Sequence, residues 1–265
     1  MSDNPPPTLT GRRGLILGLS TPNGLSYHCT VALTRRGAQV LTTTRPSRLD
    51  TNRPVSQRAG ALDCLALDTN DNQQLDAVAQ YIQEQWGALD FLVHTLIHIP
   101  DGLLQRPVLD VQQQDFTQVM CSAVHSLIAA CSAFAPLLRR SPAPRVVTFT
   151  SSGDEHMLPN YHLAGIAKAA LGATVRYLAF DLGPSGILCN SVRFSLLPTD
   201  AADRAIGPDT SARTHAHLAQ RAPTRQPLTF DDVTAAVAYL VSDQCSNTTG
   251  QVLTVDGGYS DLYFH

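Results

Sequence analysis

Short apolar runs alternate with amphipathic stretches along most of the chain. From Gly14, the run GLILGL is bounded by glycine, residues 25–36 repeat apolar side chains at helical spacing, and AQVLTTT is rich in β-branched residues. Apolar runs of this length are typical of strands, and apolar residues every three or four positions are typical of helices. The pattern therefore predicts a β-α-β unit at the start of the domain.

The same alternation continues to the C-terminal end. It predicts strands at 61–67, 89–96, 145–150, 186–192 and 251–255, and helices at 71–86, 111–138 and 230–242, with one more helix after Pro159. Residues 195–228 show no clear period and are predicted to be an irregular substrate loop. Continuous apolar runs indicate parallel strands that are buried on both faces. We therefore predict an α/β fold: a single-domain, Rossmann-type doubly wound parallel sheet over residues 11–265, flanked by helices on both faces.

Composition supports one soluble globular domain and argues against several partners. The chain has 265 residues, of which 43% are hydrophobic and 15% charged, and its net charge is −3. Basic residues do not cluster beyond pairs, so neither nucleic acid nor a membrane surface is expected as a partner. Six scattered cysteines without a C-x-x-C motif predict reduced core residues of a cytoplasmic protein. The start, MSDNPPPTLT, lacks the features of a secretion signal and predicts a flexible proline-rich tail over residues 1–10.

The candidate chemistry centres on PNYHLAGIAK, at residues 159–168. Tyr161 and Lys168 are almost two helical turns apart, so their side chains project from the same face. An ammonium about 4 Å from a phenol, at an effective dielectric of about 20, would lower the phenol pKa by about three units. Lys168 is also the only lysine in the chain, beside 18 arginines. The pattern predicts an acid-base pair; the alternative is an ordinary aromatic residue and a solvated lysine.

The segment PNYHLAGIAKAALGATVRYLAFDLGPSGILCNSV resembles the enoyl-acyl-carrier-protein reductases, a divergent branch of the short-chain dehydrogenases/reductases. This resemblance implies reduction of the carbon-carbon double bond of a 2-enoyl thioester, carried on acyl carrier protein or coenzyme A. It also implies that Tyr161 bonds the thioester oxygen and that Lys168 bonds the nicotinamide ribose. The family tyrosine ten positions upstream of Tyr161 is Ser151 here, which leaves carbonyl reduction open as an alternative.

The resemblance places cofactor contacts in the loops that follow the strands. After the first strand, the turn from Gly18 to Gly24 allows backbone N–H groups, with Leu25 at the helix start, to approach a pyrophosphate. After the third strand, Asp68 matches the family acid that bonds the adenine amino group, and Thr69 follows it. The alternative for Asp68 is the N-cap of the next helix.

The end of the second strand bears on the choice of cofactor. Sites that prefer NADH usually place Asp or Glu there for the ribose 2′-hydroxyl, whereas this chain has Arg45, with Arg48 close behind. An arginine can pair with a 2′-phosphate through charge-assisted hydrogen bonds, so the sequence predicts NADPH over NADH. The alternative is that both arginines are solvated loop charges.

Several positions depart from the family pattern. Ile97 stands where the family has a glycine near the cofactor ribose, and His28 also replaces a glycine. The segment 193–196, Arg-Phe-Ser-Leu, replaces Ser-Ala-Gly-Pro beside the nicotinamide, although the family pyrophosphate contact is retained as Thr199. These larger side chains predict a crowded cofactor pocket. A non-redox thioester enzyme or an accessory protein that does not bind nucleotide is therefore an open alternative. These departures also favour a dedicated secondary-metabolite pathway over primary fatty-acid synthesis.

The remaining motifs bear on assembly and on other chemistries. The C-terminal TGQVLTVDGGYS matches a family region of subunit contact and predicts a homotetramer, with two apolar helices as further contact faces. Simple burial of those helices against the sheet is the alternative.

His215 and His217 are two positions apart and would face different ways on a helix, so no metal site is predicted. The Ser151-Ser152 pair lacks a G-x-S-x-G elbow, which argues against a serine hydrolase.

Overall fold

Seven parallel strands form the sheet on which the site is built. The structure is a computed structural model and describes residues 8–262. The strands are β1 (Arg13–Leu17), β2 (Gln39–Thr44), β3 (Asp63–Ala66), β4 (Phe91–His94), β5 (Arg145–Ser151), β6 (Leu188–Phe194) and β7 (Val252–Val255). Their order across the sheet is β3-β2-β1-β4-β5-β6-β7, and every pair is parallel. The predicted fold class is confirmed, with the topological switch point between β1 and β4.

Helices cover both faces of this sheet. They are α1 (Leu25–Thr34), α2 (Leu49–Arg58), α3 (Asn72–Trp86), α4 (Gln113–Met120), α5 (Ser126–Leu138), α6 (His162–Leu182), α7 (Asp200–Ile206), α8 (Pro208–Arg221) and α9 (Phe230–Leu240). One hydrophobic cluster joins the sheet to α3, α5 and α6, and a second joins its other face to α1 and α9. Because helices bury both faces, β4 is buried at every position, which explains three successive apolar residues at 91–93.

The structure corrects three of the predicted helical regions. The helix predicted over 111–138 is divided into α4 and α5 by a π-helical turn at Cys121–His125. The stretch predicted as an irregular loop contains α7 and α8, and α2 was not predicted. In α7 no residue is buried, and in α8 only Ser211 is. Helices that face solvent carry few large apolar side chains, and sequence reasoning depends on those side chains to locate a helix.

The packed domain begins earlier than predicted. Residues 1–7 of the predicted tail lie outside the described residues, but Leu9 is fully buried in the second cluster. Its N–H donates to the carbonyl of Arg36, 2.8 Å away. The tail prediction therefore does not extend to Leu9.

Two helical stretches are long and apolar enough to cross a membrane. They are Gln113–Leu138 and His162–Ser185, and half of each apolar window is buried within the fold. Both supply residues to the cluster against the sheet. Core helices of this kind carry a long apolar run because they pack against a sheet and against each other.

Candidate active site

The residues predicted to form the site all follow the carboxyl ends of strands. Gly18 follows β1, Arg45 follows β2, Asp68 and Thr69 follow β3, Ile97 follows β4, Ser151 ends β5, and Thr199 follows β6. Since the strands are parallel, these loops share one edge of the sheet. In open α/β sheets, ligands bind at this edge, beside the switch point.

Tyr161 precedes the first turn of α6 and lies against the turn that follows β5. A Cβ added to Gly153 would come within 2.4 Å of the Tyr161 ring, so only glycine permits this approach. The Tyr161 hydroxyl lies 2.9 Å from the hydroxyl of Ser151, at hydrogen-bonding distance. Gly165 is equally close-packed, because a Cβ there would lie 2.6 Å from the carbonyl oxygen of Gly153. Two glycines thus bring the phenol, the turn and the helix together.

The pKa of the Tyr161 phenol is raised, which corrects the expected lowering by Lys168. Burial is the largest cause, the hydrogen bond with Ser151 acts in the opposite direction, and the charge of Asp154 raises the pKa further. Desolvation therefore outweighs the favourable contact, as it does for buried acids in general. The phenol is protonated at neutral pH and can donate a hydrogen bond.

Lys168 is buried within α6 and faces the same edge of the sheet. Its ammonium donates to the carbonyl oxygen of Phe149, 2.8 Å away. Burial lowers its pKa to about 8, and the charge of Asp154 opposes that shift. The lysine is therefore not a solvated surface charge. Its ammonium has further N–H donors and can offer one to a ligand in the cleft.

The first loop has the backbone geometry expected of a phosphate-binding turn. Gly18 has φ +94°, a conformation that favours glycine. Gly24 caps α1 without a side-chain hydrogen bond, so the first N–H groups of the helix, beginning at Leu25, have no intrahelical acceptor. His28 does not force α1 away from the sheet, because its ring stacks on Phe230 of α9 with centroids 3.7 Å apart. Such a helix start can bind an anion.

At the predicted adenine site, Asp68 does not cap the helix that follows it. Asp71, rather than Asp68, caps α3, accepting from the N–H groups of Gln73 and Gln74. The carboxylate of Asp68 accepts instead from the backbone and side-chain nitrogens of Asn70, each at 3.0 Å. The N-cap alternative for Asp68 is therefore wrong, and its predicted adenine contact stays a prediction.

The bulky residues predicted to crowd the cofactor are packed into hydrophobic clusters. Ile97 packs against a cluster that includes Val119 and Leu163, between the loop after β4, α4 and α6. Phe194 packs against the cluster on the other face and meets Phe149 edge to face, with ring centroids 6.2 Å apart. Both side chains are thus partly buried in the core, and the helix start and the buried ammonium are the groups at this edge that would hold a dinucleotide.

Helix α7 is tied to both loops that border the switch point. Asn23 of the first loop donates to the carbonyl of Pro198 and to the carboxylate of Asp200, at 3.1 and 3.0 Å. Gln105, after β4, donates to the carbonyl of Ala205 at 2.8 Å. Thr199 caps the helix by accepting from the N–H of Ala202 at 3.1 Å. The region predicted as a substrate loop thus contains a helix that is held against both loops.

A buried ion pair joins β6 to the turn after β5, and it was not predicted from the sequence. The Arg193 guanidinium lies 2.9 Å from one carboxylate oxygen of Asp154, and its Nη2 donates to the other at 3.1 Å. A further contact joins Arg193 to Glu155, at 2.7 Å. The one available signal was an arginine directly after the predicted strand 186–192, since a charge that is buried against a sheet requires a partner.

Two further features do not involve the predicted site residues. A cavity of about 420 Å³ is lined by residues of α4 and α6 and by Val108 and Val111. His215 contacts the carbonyl of Leu228 at 2.9 Å. Within residues 8–262, no group of three or more His, Cys, Asp or Glu is placed to hold a metal ion.

A parallel sheet in this order, with a Tyr directly before the helix that follows β5 and a buried Lys seven positions further on within that helix, defines an oxidoreductase of the short-chain dehydrogenase/reductase class. Residues 18–260 match the family model described as enoyl-(acyl carrier protein) reductase. The chain belongs to that family.

Curated relatives and solved structures agree with this assignment. The chain is 31% identical to an enoyl-(acyl-carrier-protein) reductase (NADH) of Aquifex aeolicus, over 95% of this chain and 92% of the relative. It is 31% identical to enoyl-(acyl-carrier-protein) reductase (NADH) 1 of Rhizobium meliloti, over 95% and 91%. The crystal structure of the Anaplasma phagocytophilum reductase in complex with NAD superposes with a TM-score of 0.90, at 28% identity, over 97% and 96% of the two chains.

The prediction of NADPH over NADH is wrong. The two curated relatives carry NADH in their names, and the Anaplasma structure holds NAD. In this chain Arg45 and Arg48 are exposed on the turn after β2, which agrees with the alternative of solvated loop charges. An exposed arginine at the end of β2 is therefore not sufficient evidence for recognition of a 2′-phosphate.

Proposed function

We propose that this protein reduces the carbon-carbon double bond of a 2-enoyl thioester with NADH as the cofactor. The observation that carries the proposal is that a protonated phenol and a buried ammonium both contact the carboxyl end of β5. Tyr161 is held by Ser151 at 2.9 Å, and Lys168 by the Phe149 carbonyl at 2.8 Å. Family membership supplies the substrate class, a thioester on acyl carrier protein, with a coenzyme A thioester as a smaller mimic.

Each side chain has a defined task in this proposal. Bound NADH would supply a hydride to the β-carbon, and the α-carbon would then take a proton from solvent. The Tyr161 hydroxyl would donate to the thioester oxygen, where negative charge develops. Lys168 would donate to the nicotinamide ribose and favour the charged oxygen through its field. The start of α1 would hold the pyrophosphate.

The proposal is tested by following NADH oxidation with crotonyl thioesters of acyl carrier protein and coenzyme A. We expect turnover with both carriers, and a higher kcat/KM with NADH than with NADPH. Calorimetric titration with each nucleotide gives the binding constants independently. Turnover of neither thioester, together with absence of nucleotide binding, would reject the reductase and favour a non-redox thioester enzyme or accessory protein.

Carbonyl reduction is the second candidate because of Ser151. A serine hydroxyl 2.9 Å from the tyrosine hydroxyl can share a bond to a ketone oxygen, whereas the enoyl reductases of this family have a tyrosine at that place. The same assay with acetoacetyl thioesters separates the two activities. A higher kcat/KM with the ketone than with the enoyl substrate would select the second candidate.

A dedicated biosynthetic route is the finer part of the proposal. It rests on the departures at Ile97, Ser151 and residues 193–196. Expression in a strain that lacks its own enoyl reductase tests it, and we expect poor restoration of growth. Full restoration would assign the protein to primary fatty-acid synthesis.

The cysteines support a cytoplasmic location. Buried, unpaired thiols such as those of Cys29 and Cys189 fit a reducing compartment.

Asp200→Asn is expected to tighten NADH binding by about two- to fivefold. Hydrogen bonds from Asn23 and Thr21 hold the pKa of Asp200 below its usual value, so this carboxylate is charged at neutral pH. It lies beside the loop that leads into α1, and a negative charge there opposes an anion at the helix start by about 0.3–1 kcal/mol. Calorimetric titration measures the change. Asp203→Asn, on the same helix, is the control, and equal effects of both variants would contradict the prediction.

Two exposed apolar surfaces support a homotetramer. Phe116, Ile128, Ile166, Tyr177 and Phe180 are exposed on the neighbouring helices α4, α5 and α6, whereas Tyr239 and Leu253 are exposed on α9 and β7. Two different self-associating surfaces on one chain generate a closed tetramer with three two-fold axes.

Phe180→Glu is expected to convert the tetramer to dimers. Phe180 is 80% exposed in the isolated chain, so the substitution does not disturb the core, but it places a charge within an apolar contact. Sedimentation velocity measures the assembly. Leu62→Glu, at a position that is 60% exposed next to β3, is the matched control and should remain tetrameric. A tetrameric Phe180→Glu protein would remove this surface from the interface.

A further inference from the structure

The loop after β4 contacts the first loop at the switch point of the sheet. The Thr95 hydroxyl donates to the carbonyl of Leu17 at 2.6 Å. A Cβ added to Gly18 would lie 2.6 Å from the Leu96 side chain, so the two loops are packed directly against each other. Because ligands of such sheets bind at the switch point, the direction of the next side chain, Ile97, affects how much room a cofactor has.

The Ile97 side chain is partly buried in a hydrophobic cluster. This cluster includes Val119 of α4 and Leu163 of α6. The family that the chain resembles has a glycine at this position, which has no side chain to place. An isoleucine that left the cluster would enter the space beside the switch point. The chain therefore requires something that keeps Ile97 where it is.

Ser122 holds the backbone directly after Ile97. The N–H of His98 donates to the Ser122 hydroxyl at 3.0 Å. The same hydroxyl lies 3.2 Å from the carbonyl oxygen of His98 and 3.0 Å from that of Val119, and it can donate to either. One side chain thus contacts both polar backbone groups of His98 and links them to the helix that supplies Val119 to the cluster.

The π-helical turn at Cys121–His125 contains Ser122 and is itself tied to β4. The N–H of Ser126 donates to the carbonyl of Cys121, five positions back, as in a π-helix. The Ser126 hydroxyl lies 2.8 Å from the Ser122 carbonyl oxygen and 2.8 Å from Nε2 of His94, the last residue of β4. The turn is therefore fixed to the strand from which the loop emerges.

We propose that Ser122 is a positioning residue that holds Ile97 out of the cofactor cleft. It acts through the backbone of His98. Because isoleucine is branched at Cβ and has little freedom about χ1, the direction of its side chain follows the backbone. The effect on cofactor binding rests on the proposed function, whereas the effect on the direction of Ile97 does not.

Ser122→Ala is expected to raise the dissociation constant for NADH by about three- to tenfold. The substitution removes the hydrogen bonds to His98, so that in a fraction of the molecules Ile97 occupies the cleft, and affinity falls with that fraction. At saturating NADH, kcat should change by less than about twofold, because the groups that do the chemistry are unaltered. Calorimetric titration and steady-state kinetics measure the two quantities.

Two further variants serve as controls for this substitution. Ser122→Thr keeps a hydroxyl at the same place and should retain the affinity for NADH. Ser132→Ala makes the same chemical change at an exposed position of α5 and should also leave the affinity unchanged. An unaltered dissociation constant in Ser122→Ala, or an equal loss in Ser132→Ala, would overturn the proposal.

A double-mutant cycle separates the positioning role from a merely structural one. Ile97→Ala removes the bulky side chain without adding the backbone freedom of glycine. If Ser122 acts by directing Ile97, then Ser122→Ala should change the NADH affinity by less than about 1.5-fold in the Ile97→Ala background. The same loss of affinity in both backgrounds would show that Ser122 does not act through Ile97.

The direction of Ile97 can also be followed without a cofactor. The chain has eight isoleucines, and carbon-13 labelling of their δ1-methyl groups gives one resonance for each. The resonance that is lost in Ile97→Val is that of Ile97. In Ser122→Ala we expect this resonance to shift or broaden, while that of Ile16, fully buried in β1, stays in place.

An unmoved Ile97 resonance in Ser122→Ala would overturn the proposal. Failure of the unmodified protein to bind NADH would reject the proposed function instead, and the resonance would still test the role of Ser122.

Discussion

Tyr161→Phe is expected to lower kcat with an enoyl thioester by about a hundredfold to ten-thousandfold. The substitution removes only the hydroxyl, which is the donor to the oxygen on which charge develops. The ring remains, so its packing against Gly153 and the turn after β5 is retained. NADH affinity should change by less than about threefold, which is under 1 kcal/mol. Steady-state kinetics and calorimetric titration of one preparation measure both quantities.

Ser151→Ala is the matched control for this prediction. It removes the partner of the 2.9 Å hydrogen bond but leaves the phenol in place. In an enoyl reductase this variant should lose much less activity than Tyr161→Phe, because Ser151 orients the donor without replacing it. In a carbonyl reductase, where Ser151 shares the ketone oxygen, the two losses should be similar. Undiminished turnover in Tyr161→Phe would exclude Tyr161 from the chemistry in either case.

Gly165→Ala is expected to destabilise the fold by about 1–3 kcal/mol and to abolish activity. Its Cβ would lie 2.6 Å from the carbonyl oxygen of Gly153, an approach that only a backbone shift can relieve. That shift would carry the turn and the Tyr161 ring away from α6. Urea unfolding gives the change in free energy, and NADH oxidation gives the change in rate.

Gly172 on the same helix provides the control. A Cβ there would meet only the Thr150 methyl group, at an ordinary 3.9 Å. Gly172→Ala should therefore stabilise the protein by about 0.5–1 kcal/mol, because alanine is favoured over glycine inside a helix. Activity should be unchanged. Destabilisation of both variants to the same extent would mean that helix propensity and the clash at Gly165 have been misjudged.

The wrong prediction of NADPH shows that one residue type at one position does not determine which cofactor binds. An arginine at the end of β2 has the right chemistry for a 2′-phosphate, but Arg45 lies exposed on its turn. Recognition requires that the guanidinium be directed at the ribose, and residue type alone does not determine direction. Relatives named for NADH correct the inference.

The sequence by itself determined the sheet and the position of the candidate pair. Strands buried on both faces favour successive apolar residues, so the runs in β1 and β4 could be located without a structure. The Tyr-x6-Lys spacing predicted that both groups project from one helix face, whereas Tyr161 lies directly before α6 as its N-cap and only Lys168 is within the helix. The polar helices α7 and α8 were missed, since an exposed helix carries few large apolar side chains by which to locate it.

Tertiary structure alone decided the electrostatics of the site. Asp154 and Arg193 are 39 positions apart, and the register of β5 with β6 brings them together. The pKa of Tyr161 rises rather than falls because the folded protein buries the phenol and because the charge of Asp154 acts on it. Neither the burial nor the contribution of Asp154 could be predicted from the sequence. Spacing along one helix is a local property that a sequence contains. Burial and the meeting of distant charges exist only after the chain has folded, because they depend on every element packed around the site.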